Sequence, residues 1–150
     1  MITTRLTSVN SVLKYWEFIL SGLRVIEEKN HEKFNDDAIF KTCSYLVKRP
    51  EVGYVAVVLD DEENPVCFAI LQDATPLYIK DRSFIALAVY HNSTHQGATQ
   101  ELMQHFENWA RTQGISRYIV TTKRPSGAAI RCFERKYGFT RGAITFEKEL

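Results

Sequence analysis

What this sequence lacks narrows its class before any motif is considered. No stretch approaches the roughly 18–20 consecutive apolar residues that a helix needs to cross a bilayer, which argues against a membrane partner. The opening "MITTRLTSVN" has one arginine and no apolar segment, so no secretory leader is predicted. Cysteine is scarce: Cys43, Cys67 and Cys132 are odd in number, far apart and set in apolar runs. They read as buried thiols of a reducing compartment, not as disulfides or a metal knuckle. The histidines, His31, His91, His95 and His105, have no ligand spacing. A cytoplasmic protein without a metal is the expectation. The four prolines are scattered, with no Ser/Gly tract and no repeat, which excludes a linker-joined or solenoid architecture.

What remains is a chain of 150 residues, 45% hydrophobic and 25% charged, a composition that fits one compact domain over 1–150. The net charge of +1 hides an asymmetry. Residues 111–141 carry eight Lys/Arg against Glu134 alone, a local balance of +7 that leaves −6 elsewhere. Such a split points either to an anionic partner on the C-terminal third or to solvated helix faces.

"MITTRL" alternates as a short first strand. From Thr7 or Ser8, either of which is a suitable N-cap, the period becomes helical through Val9, Leu13, Trp16, Leu20 and Leu23, widened by Val12, Ile19 and Ile26. A second helix carries Ile39, Cys43, Leu46 and Val47 and must stop at Pro50. Two β-rich runs then flank "DDEENP" as a hairpin, and "SFIALAVY" (83–90), apolar almost throughout, reads as a central strand. Leu102, Phe106 and Trp109 mark a helix ending at Gly114 with Arg111 in its last turn. "SRYIVTT" is a strand, "SGAAIRCFERKYGF" a helix stopped by Gly138, and "TRGAITFEKEL" a closing strand. The predicted order is β-α-α-β-β-β-α-β-α-β, an α/β (α+β) mixed sheet, antiparallel early and parallel across the helix.

Between the apolar strand and the amphipathic helix lies "STHQGATQ" (93–100). A helix beginning near Ala98 would leave the N–H groups of His95, Gln96, Gly97, Ala98, Thr99 and Gln100 unpaired at the positive end of its dipole, a setting suited to a pyrophosphate. A lone glycine reads equally as an ordinary tight connection.

The order of elements, this turn and "AAIRCFERKYGF" together resemble the GCN5-related N-acetyltransferase (GNAT) superfamily. That family's turn reads R/Q-x-x-G-x-G/A after an L-x-V strand end; here Leu87-Ala88-Val89 precedes Thr94-His-Gln-Gly97-Ala-Thr99. Its last helix often reads A-I-R-x-Y-E-K-x-G-F, matched by residues 129–139. The resemblance implies a GNAT-like, mostly antiparallel sheet of six to seven strands with about four helices. It also implies acetyl-CoA as acyl donor and transfer to a primary amine of a small molecule or protein. The turn amides would take the pyrophosphate, the edge of Leu87, Ala88 and Val89 the pantetheine amides, and Lys123, Arg124 or Arg131 the 3′-phosphate. The strand after Ile115 would splay away from 83–90 to open a V. A second copy of the chain is a candidate partner. Nucleic acid is not, since the basic third lacks a helix-turn-helix or aromatic interleaving.

Three departures accompany the resemblance. Thr94 stands where the family has Arg or Gln. Thr99 stands at a small-residue position, either crowded or already helical with its hydroxyl free for phosphate. The last helix has one residue too many between Arg131 and Gly138, so Glu134 holds the place of the usual tyrosine acid, with Phe133 beside it and Tyr137 in place of a leucine. Acyl transfer needs a neutral amine, an oxyanion donor such as the N–H of Val89 or a neighbour, and a proton for the thiolate. Glu134 is the candidate acid, or else a surface partner of an arginine. His91 is the candidate base by its near-neutral pKa, or else a solvated histidine. Glu27, Glu28, Glu32, Asp36 and Asp37 against two lysines between the first helices suggest a cationic acceptor. The alternative is a GNAT-like binding or structural protein that has lost the chemistry.

Overall fold

The computed structural model describes residues 1–92, 94–123, 126–142 and 145–150. In chain order these form β1 (Ile2–Arg5), α1 (Val9–Asn30), α2 (Asp36–Val47), β2 (Gly53–Leu59), β3 (Pro65–Asp73), β4 (Arg82–His91), α3 (Ala98–Thr112), β5 (Ile115–Ile119) and α4 (Gly127–Arg131). A π-helical turn, Cys132–Lys136, continues α4. The sheet runs β1-β2-β3-β4-β5, antiparallel except for the parallel β4–β5 pair across α3.

Side-chain parity sorts the sheet into two cores. Val55, Val57, Phe68, Ile70 and Ala88 face α1 and α2, while Tyr54, Ala56, Val58, Cys67, Ala69, Leu71 and Phe84 face α3. Successive strand residues point to opposite faces, so a sheet covered on both sides must be apolar throughout; that is why β2 and β3 read as unbroken runs. Ser8 caps α1 in a box with Ser11, and Asn35 caps α2.

The stripe on α1 meets the core through Val12, Ile19 and Leu23, with Trp16, Leu20 and Ile26 packed against it. Leu13 departs from it at 54% exposed, while Tyr15 and Gly22 are buried instead. The face is therefore centred on Val12 and Ile19, which were expected only to widen it.

The sheet has five strands, not six to seven. Among the described residues of 140–150 none lies in a strand, and Phe146 and Leu150 are bare to solvent. Alternation makes a strand only where a neighbour pairs with it and a face is buried; neither condition is met there.

Candidate active site in the cleft between strands β4 and β5

The cleft begins with the register of β4. On its β5 side the ladder covers only Arg82 to Ile85, with Ile85 opposite Ile119. Beyond that point Ala86 to His91 have no strand partner among the described residues on that edge, because β5 ends at Ile119. On its β3 side the register slips: Ile70 faces Ala88 but Leu71 faces Ala86, leaving Leu87 as a bulge. Bulges re-aim side chains and are common beside sites. Here the bulge inverts parity. Phe84 and Ala86 pack towards α3, whereas Ala88 and Tyr90 pack towards α1. Leu87 itself turns outwards, 41% exposed. Leu87, Ala88 and Val89 therefore sit on an open strand edge, free to pair with an extended ligand.

Asn92 ties the following turn to the sheet, donating its N–H to the Val66 carbonyl at 2.7 Å. Its side-chain oxygen accepts from the Thr94 amide at 3.1 Å and the Thr94 hydroxyl at 3.0 Å. Gly97 caps α3 with φ 86°, a conformation that favours glycine, and no side chain caps this helix. Of the six amides expected to be free, two are engaged: His95 N–H donates to the Asn92 carbonyl at 3.2 Å and Ala98 N–H to the His95 carbonyl at 3.5 Å. Among the described residues the amides of Gln96, Gly97, Thr99 and Gln100 have no acceptor. They sit at the positive end of a 15-residue helix.

Thr99 is neither crowded nor aimed at solvent. It lies in the first turn of α3 and outside the left-handed region. Its hydroxyl lies against the Cys67 thiol, where it offsets part of the burial that pushes that thiol up to about 12. One glycine suffices because, among the described residues of this turn, Gly97 alone is left-handed.

His91 is the last residue of β4, beside the start of this turn. Partial burial, then the Lys29 charge, holds its pKa below the ordinary histidine value, so the ring is neutral at neutral pH. His95 makes different contacts from those expected of a phosphate ligand: Nδ1 is 2.9 Å from the Thr94 hydroxyl and Nε2 is 3.7 Å from an Asp60 carboxylate oxygen.

The extra residue of the last helix is absorbed by the π-helical turn, closed by Tyr137 N–H on the Cys132 carbonyl at 3.1 Å; Gly138 follows at φ 73°. The Glu134 carboxylate is held by the Arg141 guanidinium at 2.9 Å and 3.1 Å, so its partner is neither Arg131 nor Arg135. The Arg131 guanidinium folds back to within 3.3 Å of where a Gly127 side chain would begin, on its own helix. Burial, then the Cys132 thiol, raises the Tyr137 hydroxyl above its ordinary value. Phe139 joins this turn to the sheet by edge contacts with Phe133 and Tyr118. Arg124 lies outside the described residues. Lys123 pairs with Glu32, linking the segment after β5 to the α1–α2 connection.

In that connection, Arg24 pairs with both Glu27 and Asp36. Three of the five acids are thus engaged by cations, because Arg24 lies outside the stretch in which the charges were counted. A groove of about 580 Å³ here is lined by Arg24, Glu27, Phe34 and Asp37 among others. Asp60, Asn92 and Arg141 were not read from the sequence. Asn92 had a signal, the Asn-Ser-Thr run of an Asx turn; the other two act across distances that no local pattern carries.

The model of the acetyltransferase (GNAT) family matches residues 16–139. No curated protein matches the sequence. Among solved structures, the chain is similar to a ribosomal-protein-alanine N-acetyltransferase from Brucella melitensis biovar Abortus 2308. Identity is 13%, TM-score 0.70, and all of both chains is covered. It is also similar to an aminoglycoside acetyltransferase from an uncultured soil metagenomic sample in complex with sisomicin. There the identity is 18% and the TM-score 0.73, over 99% of this chain and 95% of that one. A possible acetyltransferase from Clostridium difficile 630 is 12% identical with TM-score 0.72, over 99% and 97%. At such identities the structures speak for the fold alone, and the family match covers most of the sequence: the chain belongs to the GNAT acetyltransferase family.

Proposed function

We propose that the protein is an acyl-CoA-dependent N-acetyltransferase acting on a primary amine. The observation that carries this reading is the juxtaposition of an open β4 edge with amides at the start of α3 that have no acceptor among the described residues. An extended chain of amides ending in a pyrophosphate needs both, in that order. Leu87, Ala88 and Val89 would hold the pantetheine arm, and the amides of Gln96, Gly97, Thr99 and Gln100 the pyrophosphate. When bound, acetyl-CoA supplies an activated acyl carbon. The chain's part is to align that group along β4, to offer backbone N–H near Val89 to a developing oxyanion, and to keep neutral His91 available as a base. The acceptor is a cationic small molecule or a protein amine, entering beside the α1–α2 connection, where Glu28 and Asp37 make no ion pair among the described residues. The cytoplasm is the compartment that fits reduced thiols.

Calorimetry with acetyl-CoA tests the reading. A micromolar Kd is expected, and no heat at millimolar CoA overturns it. A second reading, a GNAT-like binding protein without turnover, is favoured by Glu134, whose carboxylate is tied to Arg141 rather than open to the cleft. Thioester cleavage unaffected by every amine of a broad panel, together with bound CoA, would favour it.

A further inference from the structure

Resting on the reading of residues 92–97 as the pyrophosphate turn, we propose that Asp60 and His95 form a tether that replaces the Arg or Gln missing at the head of this turn. Asp60 is then a positioning residue for coenzyme binding. It belongs to the β2–β3 hairpin, where its Oδ1 accepts from the Glu62 and Asn64 amides, each at 2.9 Å. Its other oxygen, Oδ2, lies 3.7 Å from His95 Nε2. The carboxylate is thus fixed by its own turn before it reaches the histidine. The Asn64 amide first, with the Glu62 amide and the His95 ring, holds its carboxyl below the ordinary aspartate value.

On the far side of the ring, Nδ1 is 2.9 Å from Thr94 Oγ1, which is 3.0 Å from Asn92 Oδ1. The Thr94 hydroxyl thus stands between the ring and Asn92, while the Asp60 carboxylate faces the other ring nitrogen at ion-pair range, so the hairpin and the turn meet through His95.

The other charges at this corner are Asp61 and the Met1 ammonium, which pair with each other at 3.3 Å, while Met1 Cε packs beside Gly97. With both ring nitrogens facing protein groups, His95 leaves the neighbouring amides to the ligand and contributes geometry. Thr94 is accordingly no loss relative to the family pattern, because its hydroxyl is a link in the chain.

Two measurements on the full chain test the tether. In the coenzyme-free protein, Asp60→Asn and His95→Gln should speed hydrogen exchange of the backbone amides at positions 95 and 98 about three- to fivefold, the scale of an exposed ion pair. In calorimetry with CoA, both variants should bind about three- to fivefold more weakly than the unaltered protein. Asp61→Asn should change neither. Unchanged exchange and unchanged affinity in both variants overturn the tether. If the unaltered protein gives no heat with CoA while exchange responds as expected, the pyrophosphate reading falls and the tether stands.

Discussion

Gly22 is where α1 comes nearest the sheet. A Cβ there would lie 2.4 Å from Phe68 Cε1 and 2.7 Å from Tyr90 Cδ1, inside van der Waals contact. Both rings belong to the core between α1 and the sheet, so they cannot simply swing away. Gly22→Ala should therefore destabilise by about 1–3 kcal/mol, read from the denaturant midpoint. Because Tyr90 neighbours Val89, the variant should also disturb β4 beside the open edge. His91 makes a pH prediction with a defined sign. Its pKa is lowered in the fold, so the unfolded chain takes up the proton first, near the ordinary value of about 6.5. Stability is full above that value and falls as the pH drops from it towards the lowered one. Unfolding curves at about pH 7.5 and pH 5.5 should show this loss in the unaltered protein and a smaller one in His91→Gln; equal losses would refute it.

At the level of elements, α1 distinguishes a periodicity from a buried face. Ile19 is fully buried and Leu13 is 54% exposed. Ile19→Ala should cost about 2–5 kcal/mol, while Leu13→Ala should stay within about 0.5 kcal/mol, both by chemical denaturation. Equal costs would mean that Leu13 is packed as tightly as Ile19. In β4 the run 83–90 is so evenly apolar that no alternation shows where parity inverts; the bulge at Leu87 is set by its two neighbouring strands. The surplus residue of the last helix was visible as a count, whereas its accommodation as a π-helical turn depends on where Tyr137 and Gly138 must end the element.

For the whole molecule, ligand binding to the fold and not to the unfolded chain must appear as thermal stabilisation. Acetyl-CoA at 100 times its Kd should add about 2.7 kcal/mol, a rise in Tm of several degrees for a chain of this size. An absence of any shift at that excess would mean that acetyl-CoA does not bind the folded chain in preference to the unfolded one. Part of the basic C-terminal third is engaged within the molecule. Arg117 donates to the Ser83 hydroxyl, Lys123 pairs with Glu32, and Arg141 holds Glu134. These contacts join the C-terminal third to the rest of the chain and to itself.

The sequence by itself determined the order of elements up to α4, the hairpin of β2 and β3, and a helix start near Ala98 behind one glycine. These follow from local propensity, periodicity and capping, which are properties of neighbouring residues. Tertiary structure alone decided the end of the β4–β5 ladder at Ile85, the inversion of β4 at Leu87, the exposure of Leu13 on α1 and the lack of a closing strand among the described residues. It also decided what His95, Thr99 and Glu134 touch. Each depends on residues distant in the chain, Asp60 for His95 and Cys67 for Thr99, or on a strand whose partner must exist before alternation means anything. The turn "STHQGATQ" shows both halves: its glycine and helix start were legible, and its anchoring to the β2–β3 hairpin was not.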